Sequence, residues 1–232
     1  MDLSPGQPEA QLWWRDRSDV GGASRRIEAA MIRLLAASMG VVVASAWLLT
    51  SRWERPGRGA EHRVRLRVPR LIGLGFDGSL FAQLLYPLLV VIAPGPTYEG
   101  WANWSSSVDA TLQTAGLVVW MLGITVLLWA SRVMGGYLAI EGLAPEHELV
   151  TRGPYHYVRH PVYASFMAIA AGTALVFRSY LLLGLFLMLA ATSFWWANAE
   201  EKLLASHDGF GDAYRAYAAG TGRLLPRLKR AR

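Results

Sequence analysis

The 232-residue sequence contains no cysteine, which excludes disulfides, thiolate nucleophiles, cysteine-ligated zinc and iron–sulfur clusters. Charge is scarce. Asp, Glu, Lys and Arg together make up 17% of the residues, where a soluble domain carries about a quarter. No glycine-rich phosphate loop follows a strand pattern and no Gly-x-Ser-x-Gly elbow occurs, so a soluble nucleotide-binding domain and an elbow-type hydrolase are excluded. His147, His156 and His160 lack the spacing of a helical metal pair and have no second cluster, so no metal is expected.

What is present is apolar and segmented. Hydrophobic residues account for 53% of the chain. Uncharged stretches of 18, 21, 22, 17 and 21 residues run between Arg33 and Arg52, Asp77 and Glu99, Asp109 and Arg132, His160 and Arg178, and Arg178 and Glu200. A bilayer core of about 30 Å needs about 17 to 25 apolar helical residues, so the sequence predicts an all-α integral membrane bundle of about five transmembrane helices. Spans are expected near Leu34–Ser51, Ser79–Thr97 and Ala110–Ser131. The last two stretches, parted only by Arg178-Ser179-Tyr180, read as a tight helical hairpin. Three parts follow: a polar leader at 1–26, loosely ordered and without the pattern of a secretory signal; two N-terminal spans with a basic connector at 27–109; and a core of three spans with a polar tail at 110–232.

Lys and Arg exceed Asp and Glu by six, 23 against 17. Because these cations flank apolar stretches, they point to lipid headgroups and topology and not to nucleic acid. The first connector carries Arg52, Arg55, Arg58, Arg63, Arg65, Arg67 and Arg70, and the tail ends in Arg227, Lys229, Arg230 and Arg232. Positive charge therefore places the first connector, the third connector and the tail in the cytoplasm. The compact, arginine-rich chain reads as a protein of a bacterial inner membrane.

Polar, motif-like residues gather at Glu146–Tyr163 and Glu200–Tyr217, and the hairpin returns both segments to the cytoplasmic face. Gly153-Pro154 forces a turn, while Pro161 suits the first turn of a helix, where its missing N–H would be unpaired anyway. Arg159 and His160 then stand just before a helix N-terminus, a place that favours an anion. Glu200 and Glu201 follow the apolar run Phe194-Trp195-Trp196. Neighbouring helical residues point about 100° apart, so both glutamates serve one pocket only if it wraps the helix. The plain alternative is that the pair merely ends the apolar span.

Gly153-Pro154-Tyr155, Arg159-His160-Pro161-Val162-Tyr163, Glu200-Glu201, Phe210-Gly211-Asp212-Ala213-Tyr214-Arg215-Ala216-Tyr217 and Leu225-Pro226 together resemble the isoprenylcysteine carboxyl methyltransferase and phospholipid N-methyltransferase family of integral membrane enzymes. The resemblance covers about residues 110–228. It implies an S-adenosylmethionine-dependent methyltransferase whose cofactor pocket faces the cytoplasm and whose acceptor is lipophilic and enters from the membrane. Position by position, it implies that Tyr155, Arg159, His160, Pro161, Tyr163 and Glu200 bind the cofactor, that Glu201 holds the cofactor amine or orients the acceptor, and that His207 stands where relatives place a basic residue. The chemistry of the transfer adds Arg215 or His207 as the cation that positions a carboxylate acceptor and Glu201 as the base for an amine. Ser165 stands where the family has glycine, and Asp208-Gly209 is an apparent insertion before Phe210. The nominal acceptor is an isoprenylcysteine-like carboxylate, with a phospholipid amine or a small thiol as alternatives. Two readings of other classes stay open: an NADPH-dependent sterol-type membrane reductase, and a non-catalytic membrane scaffold.

Overall fold

The computed structural model describes residues 9–53, 64–98, 102–104, 108–135, 142–143 and 148–227. Glu146, His147 and the tail residues Lys229, Arg230 and Arg232 lie outside them, as do the side chains of Trp13 and Trp14. The elements in order are α1 (Glu9–Trp53), β1 (Val64–Arg65), α2 (Arg70–Ile92), α3 (Pro94–Tyr98), α4 (Asp109–Met134), β2 (Gly142–Leu143), a 3₁₀ turn (Gly153–His156), α5 (Pro161–Phe177), α6 (Tyr180–Leu204) and α7 (Asp212–Gly220). Among the described residues, four helical segments are long and apolar enough to cross a bilayer: Ile27–Arg52, Arg70–Ile92, Asp109–Met134 and Tyr180–Leu204. The apolar α5 is shorter, at 17 residues. The chain is an all-α integral membrane protein, apart from the two-residue antiparallel pairing of β1 with β2 that joins two connectors.

Two boundaries differ from expectation. The leader, expected to be loosely ordered, is helical from Glu9 and runs into the first span without a break; Glu, Ala, Gln, Leu and Arg in its first half are good helix formers. The second span begins at Arg70, nine residues before the expected Ser79. Pro69 sets that start, and Asp77 is accommodated because it lies on an exposed face of α2. The same helix ends at Ile92 because Ala93 precedes Pro94, and a residue before proline is pushed away from helical geometry.

α4 lies along α5, α6 packs on α5 and α2, and α1 covers α2 and α4. Glycines allow the close α4–α5 approach. A Cβ added at Gly172 of α5 would stand 2.6 Å from the Gly116 carbonyl oxygen and 2.7 Å from the Trp120 backbone nitrogen. Small residues at such seams let helix backbones meet within the bilayer.

The α5–α6 hairpin turns at Arg178, whose φ of 51° is left-handed, and Ser179 caps α6 by accepting from the Leu182 N–H. Arg178 pays for this backbone with partners: its guanidinium pairs with Asp109 and lies 4.6 Å from the centre of the Tyr98 ring. Asn103 of the α3–α4 connector donates to the Phe177 carbonyl, and Gln113 of α4 donates to that of Val176. This end of the bundle is thereby tied together, leaving the opposite end of the hairpin to carry the polar segments.

Candidate active site

The lower end of the hairpin is built on three stretches of chain. Gly153, at φ 60°, opens the 3₁₀ turn that buries Pro154 and Tyr155. The chain then extends through Val158 to His160 and enters α5 at Pro161, whose absent N–H leaves nothing unpaired. A C-terminal strap, residues 221–226, runs beside this extended piece. Val158 bridges Gly222 in parallel, the Arg159 N–H donates to the Gly222 carbonyl at 2.8 Å, and the His160 N–H to that of Arg223 at 3.0 Å. The third stretch is the last turn of α6, which carries Glu200 and Glu201.

His160 joins the two glutamates. Its Nδ1 lies 3.3 Å from Glu200 Oε2 and its Nε2 3.2 Å from Glu201 Oε1. The imidazole is 6% exposed, so the pair does not simply end the span in solvent. Glu200 and Glu201 serve one cluster because that cluster wraps the helix, with His160 spanning the angle between them. Burial works against the imidazolium, but hydrogen bonds and charge from the two carboxylates outweigh it and raise the His160 pKa.

The two carboxylates are held differently. Glu201 Oε1 accepts from Arg159 Nε at 2.9 Å and Arg223 Nε at 3.1 Å, and Oε2 accepts from Arg223 Nη2. Arg159 also donates to the carbonyls of Ala218 and Thr221, which fastens the end of α7 to the same point. Glu200 has Tyr163 as its only neutral donor among these groups, at 2.6 Å. Beneath the cluster, Phe76 of α2 meets the Tyr163 ring edge-on at 5.9 Å and the Trp196 ring at 6.1 Å. These aromatic contacts fix the floor of the site to the second span.

Of the expected residues, the structure brings together Tyr155, Arg159, His160, Pro161, Tyr163, Glu200 and Glu201. It does not bring in His207 or Arg215. The His207 side chain is fully exposed, 4.0 Å from its neighbour Asp208, and Arg215 lies on the outer face of α7, bonded to Asp212 and to the Ala205 carbonyl. From the sequence, Arg223 carries no role, and the tyrosines of α7, Tyr214 and Tyr217, stand out only as motif residues. Tyr217 donates to the Tyr155 carbonyl, and burial lifts its hydroxyl pKa to about 12, keeping it a donor. Tyr214 is buried beneath the cluster with its hydroxyl unpartnered among the described residues. Their spacing three residues apart on one helix face was the available signal.

Beside the strap lies a groove of about 710 Å³ lined by Arg159, Arg223 and Arg227 with backbone of Ala218, Thr221 and Gly222. On its other side an apolar crevice of about 340 Å³ opens between α4 and α5, lined by Leu122, Val126, Trp129, Ala168 and Leu224, among others. Pro226 borders both. Among the described residues no group of three or more His, Asp or Glu is placed to hold a metal ion.

Residues 112–209 match the family model of phospholipid methyltransferases. That segment is similar to the phospholipid methyltransferase family. It opens in α4, holds Arg159, His160, Tyr163, Glu200 and Glu201, and stops before α7 and the strap. Among solved structures, the chain is similar to the eukaryotic intramembrane Ras methyltransferase, an isoprenylcysteine carboxyl methyltransferase. The identity is 20% and the TM-score 0.44, over 69% of this chain and 53% of that one. The chain thus spans about half the length of that protein. No curated protein matches the sequence.

Proposed function

We propose that the chain is an S-adenosylmethionine-dependent membrane methyltransferase whose acceptor is lipophilic and presents a carboxylate, as an isoprenylcysteine does. The observation that carries this reading is the buried His160 bridge between Glu200 and Glu201, set inside the phospholipid methyltransferase-family segment and beside an arginine-lined groove.

The residues present fit the cofactor. Glu200 offers a carboxylate to an ammonium group, and the unpartnered Tyr214 hydroxyl offers a buried donor. The arginine groove has the size of a small-molecule site, for which about 300 to 1,000 Å³ is usual. When bound, S-adenosylmethionine supplies a methyl group on a sulfonium, ready for in-line displacement. The protein's part is to orient the partners and exclude water. Tyr155, Arg159, Pro161 and Tyr163 shape the wall, and Phe76 and Trp196 close the floor.

The choice among acceptors follows from where protons can go. An amine must lose a proton to a base on methylation, and Glu201, the candidate base, is already engaged by Arg159, His160 and Arg223. A carboxylate loses no proton and needs only a cation to hold it, and Arg227, which lines the groove and donates to the Ala219 carbonyl, is the groove arginine not engaged with Glu201. The apolar crevice sharing Pro226 gives a hydrocarbon chain a place beside that groove. The arginine-rich connector and tail support a cytoplasmic placement of this end. The methyltransferase core is the 110–232 part.

Calorimetric titration of S-adenosylhomocysteine into the detergent-purified protein tests the cofactor, with a His160→Ala, Glu200→Gln double variant alongside. Saturable binding lost in the variant is expected, and no binding to folded wild-type protein would sink the reading. Transfer of radiolabelled methyl to a prenylcysteine carboxylate but not to phosphatidylethanolamine is the expected acceptor result, and the reverse preference would overturn the carboxylate assignment.

A further inference from the structure

We infer that Arg223, in the strap beyond the family-matched segment, is a positioning residue that holds Glu201 and His160 in register and so leaves Glu200 as the carboxylate with capacity for a ligand. This deepens the proposed function and rests on it for its meaning, though its geometry stands by itself.

Three observations converge. Arg223 grips both oxygens of Glu201, Nε to Oε1 and Nη2 to Oε2, the two-pronged geometry that only a guanidinium makes with a carboxylate. Its own carbonyl accepts the His160 N–H, so one residue fixes the histidine through the backbone and the histidine's carboxylate partner through the side chain. Arg159 reaches the same carboxylate from the other side while holding the carbonyls of Ala218 and Thr221. Glu201 is therefore filled by three residues, Arg223, Arg159 and His160, and its role is to anchor the strap. Glu200 takes only Tyr163 and His160 among the described residues.

The charges facing His160 decide what loss of Arg223 does. α6 presents Glu200 and Glu201; the approach to α5 presents Arg159; α5 presents the Tyr163 ring, 5.6 Å away; the strap presents Arg223. Tyr155 and Tyr214 stand behind the carboxylates, and burial raises both hydroxyl pKa values, so they remain neutral. Without the Arg223 charge, the carboxylate side of this balance gains, and His160 holds its proton more tightly.

The test uses the full chain in detergent micelles with ¹³C-labelled histidine, the His160 ring resonance being assigned by its loss in His160→Gln. In Arg223→Gln the His160 titration midpoint should move up by about one pH unit, the low end for a charge within hydrogen-bonding range because Arg223 is partly solvated. Arg223→Lys restores the charge but not the two-pronged grip. It should return the midpoint close to wild type while S-adenosylhomocysteine binds roughly tenfold more weakly. Lys202→Gln, a charge lost from an exposed position on α6, should leave the midpoint where it was. An unmoved His160 midpoint in folded Arg223→Gln would overturn the inference, as would equal S-adenosylhomocysteine affinity in Arg223→Lys and wild type. The histidine titration needs no methyl transfer. Failure of wild-type protein to bind S-adenosylhomocysteine would refute the proposed function and leave the Arg223 comparison readable.

Discussion

Gly172→Ala tests whether the site rests on a tight α4–α5 seam. The added Cβ would meet the Gly116 carbonyl oxygen at 2.6 Å and the Trp120 Cβ and backbone nitrogen at 2.7 Å each. All three atoms belong to the α4 backbone or to a first side-chain carbon, so none can swing aside. The helices must part by roughly 0.5 Å or more, and a gap of that size forfeits about a quarter of the dispersion well for each pair of atoms along the seam. Overpacking of this kind costs about 1 to 3 kcal/mol, and three simultaneous clashes, two of them with backbone atoms, put Gly172 at the upper end. Replacing a helical glycine by alanine returns about 1 kcal/mol. The net loss is about 2 kcal/mol. Unfolding in graded denaturing detergent, followed by the fluorescence of the ten tryptophans, measures it. Gly40→Ala on α1 is the matched control, since nothing lies within 4 Å of its Cβ, and it should be neutral or stabilising. Equal stability of Gly172→Ala and wild type, or equal damage from both variants, would refute the seam.

Other outcomes follow from the polar clusters. Because His160 binds its proton more tightly in the folded protein than in the unfolded chain, its stabilisation is complete below about pH 6.5 and is lost as pH rises through the raised folded value. Thermal midpoints should therefore fall across that window in wild type and stay flatter in His160→Gln; parallel profiles would count against the bridge. Tyr163→Phe removes a 2.6 Å hydrogen bond to Glu200 and should cost about 1.5 to 3 kcal/mol, the range for hydrogen bonds to charged groups, in the same detergent titration. Asp109→Asn strips Arg178 of its ion partner at the other end of the hairpin. It should lower stability by about 2 kcal/mol yet leave S-adenosylhomocysteine affinity within about twofold, because energies at separated sites add.

The spans were legible because charge is excluded from the bilayer core, and the windows between charges mark its width. That signal misplaces the start of α2, since it puts the boundary at Asp77 where Pro69 is the true one. Arg159, His160, Tyr163, Glu200 and Glu201 were legible as motif residues on a returning hairpin. Their mutual geometry was not: the 100° between adjacent glutamates argued against one shared cluster until His160 is seen to span it. The motif singles out His207 and the chemistry of a carboxylate acceptor singles out Arg215, but the turn after α6 reverses at Gly211, φ 54°, and leaves both side chains facing outward. Arg223 was invisible because nothing local marks an arginine that finds its partner 22 residues back along the chain. Ser165, in place of the family's glycine, turns its hydroxyl back to the Pro161 carbonyl at 2.6 Å. The close α4–α5 approach is made at Gly116, Gly123 and Gly172.

The lengths of the hairpin arms set the depth of the site. α5 has 17 residues and α6 has 25, which at 1.5 Å per residue rise about 25 Å and about 37 Å. Both start from the same tip at Arg178, so with the tip at one surface of a core about 30 Å thick, His160 stops short of the far surface while the end of α6 passes it. The polar cluster joining His160 to the last turn of α6 then straddles the boundary between hydrocarbon and headgroups. That depth suits an acceptor whose chain stays in the membrane while its polar end is methylated. The absence of native cysteine allows a direct measurement, because a single introduced thiol is the only one available to a spin label. Tyr157, 56% exposed and three residues before His160, is the position. A nitroxide on Tyr157→Cys in liposomes should show a depth parameter within about 5 Å of the lipid phosphates. A label as accessible to aqueous relaxants as one in bulk water would place the cluster above the membrane, and the lipophilic acceptor would lose its physical basis.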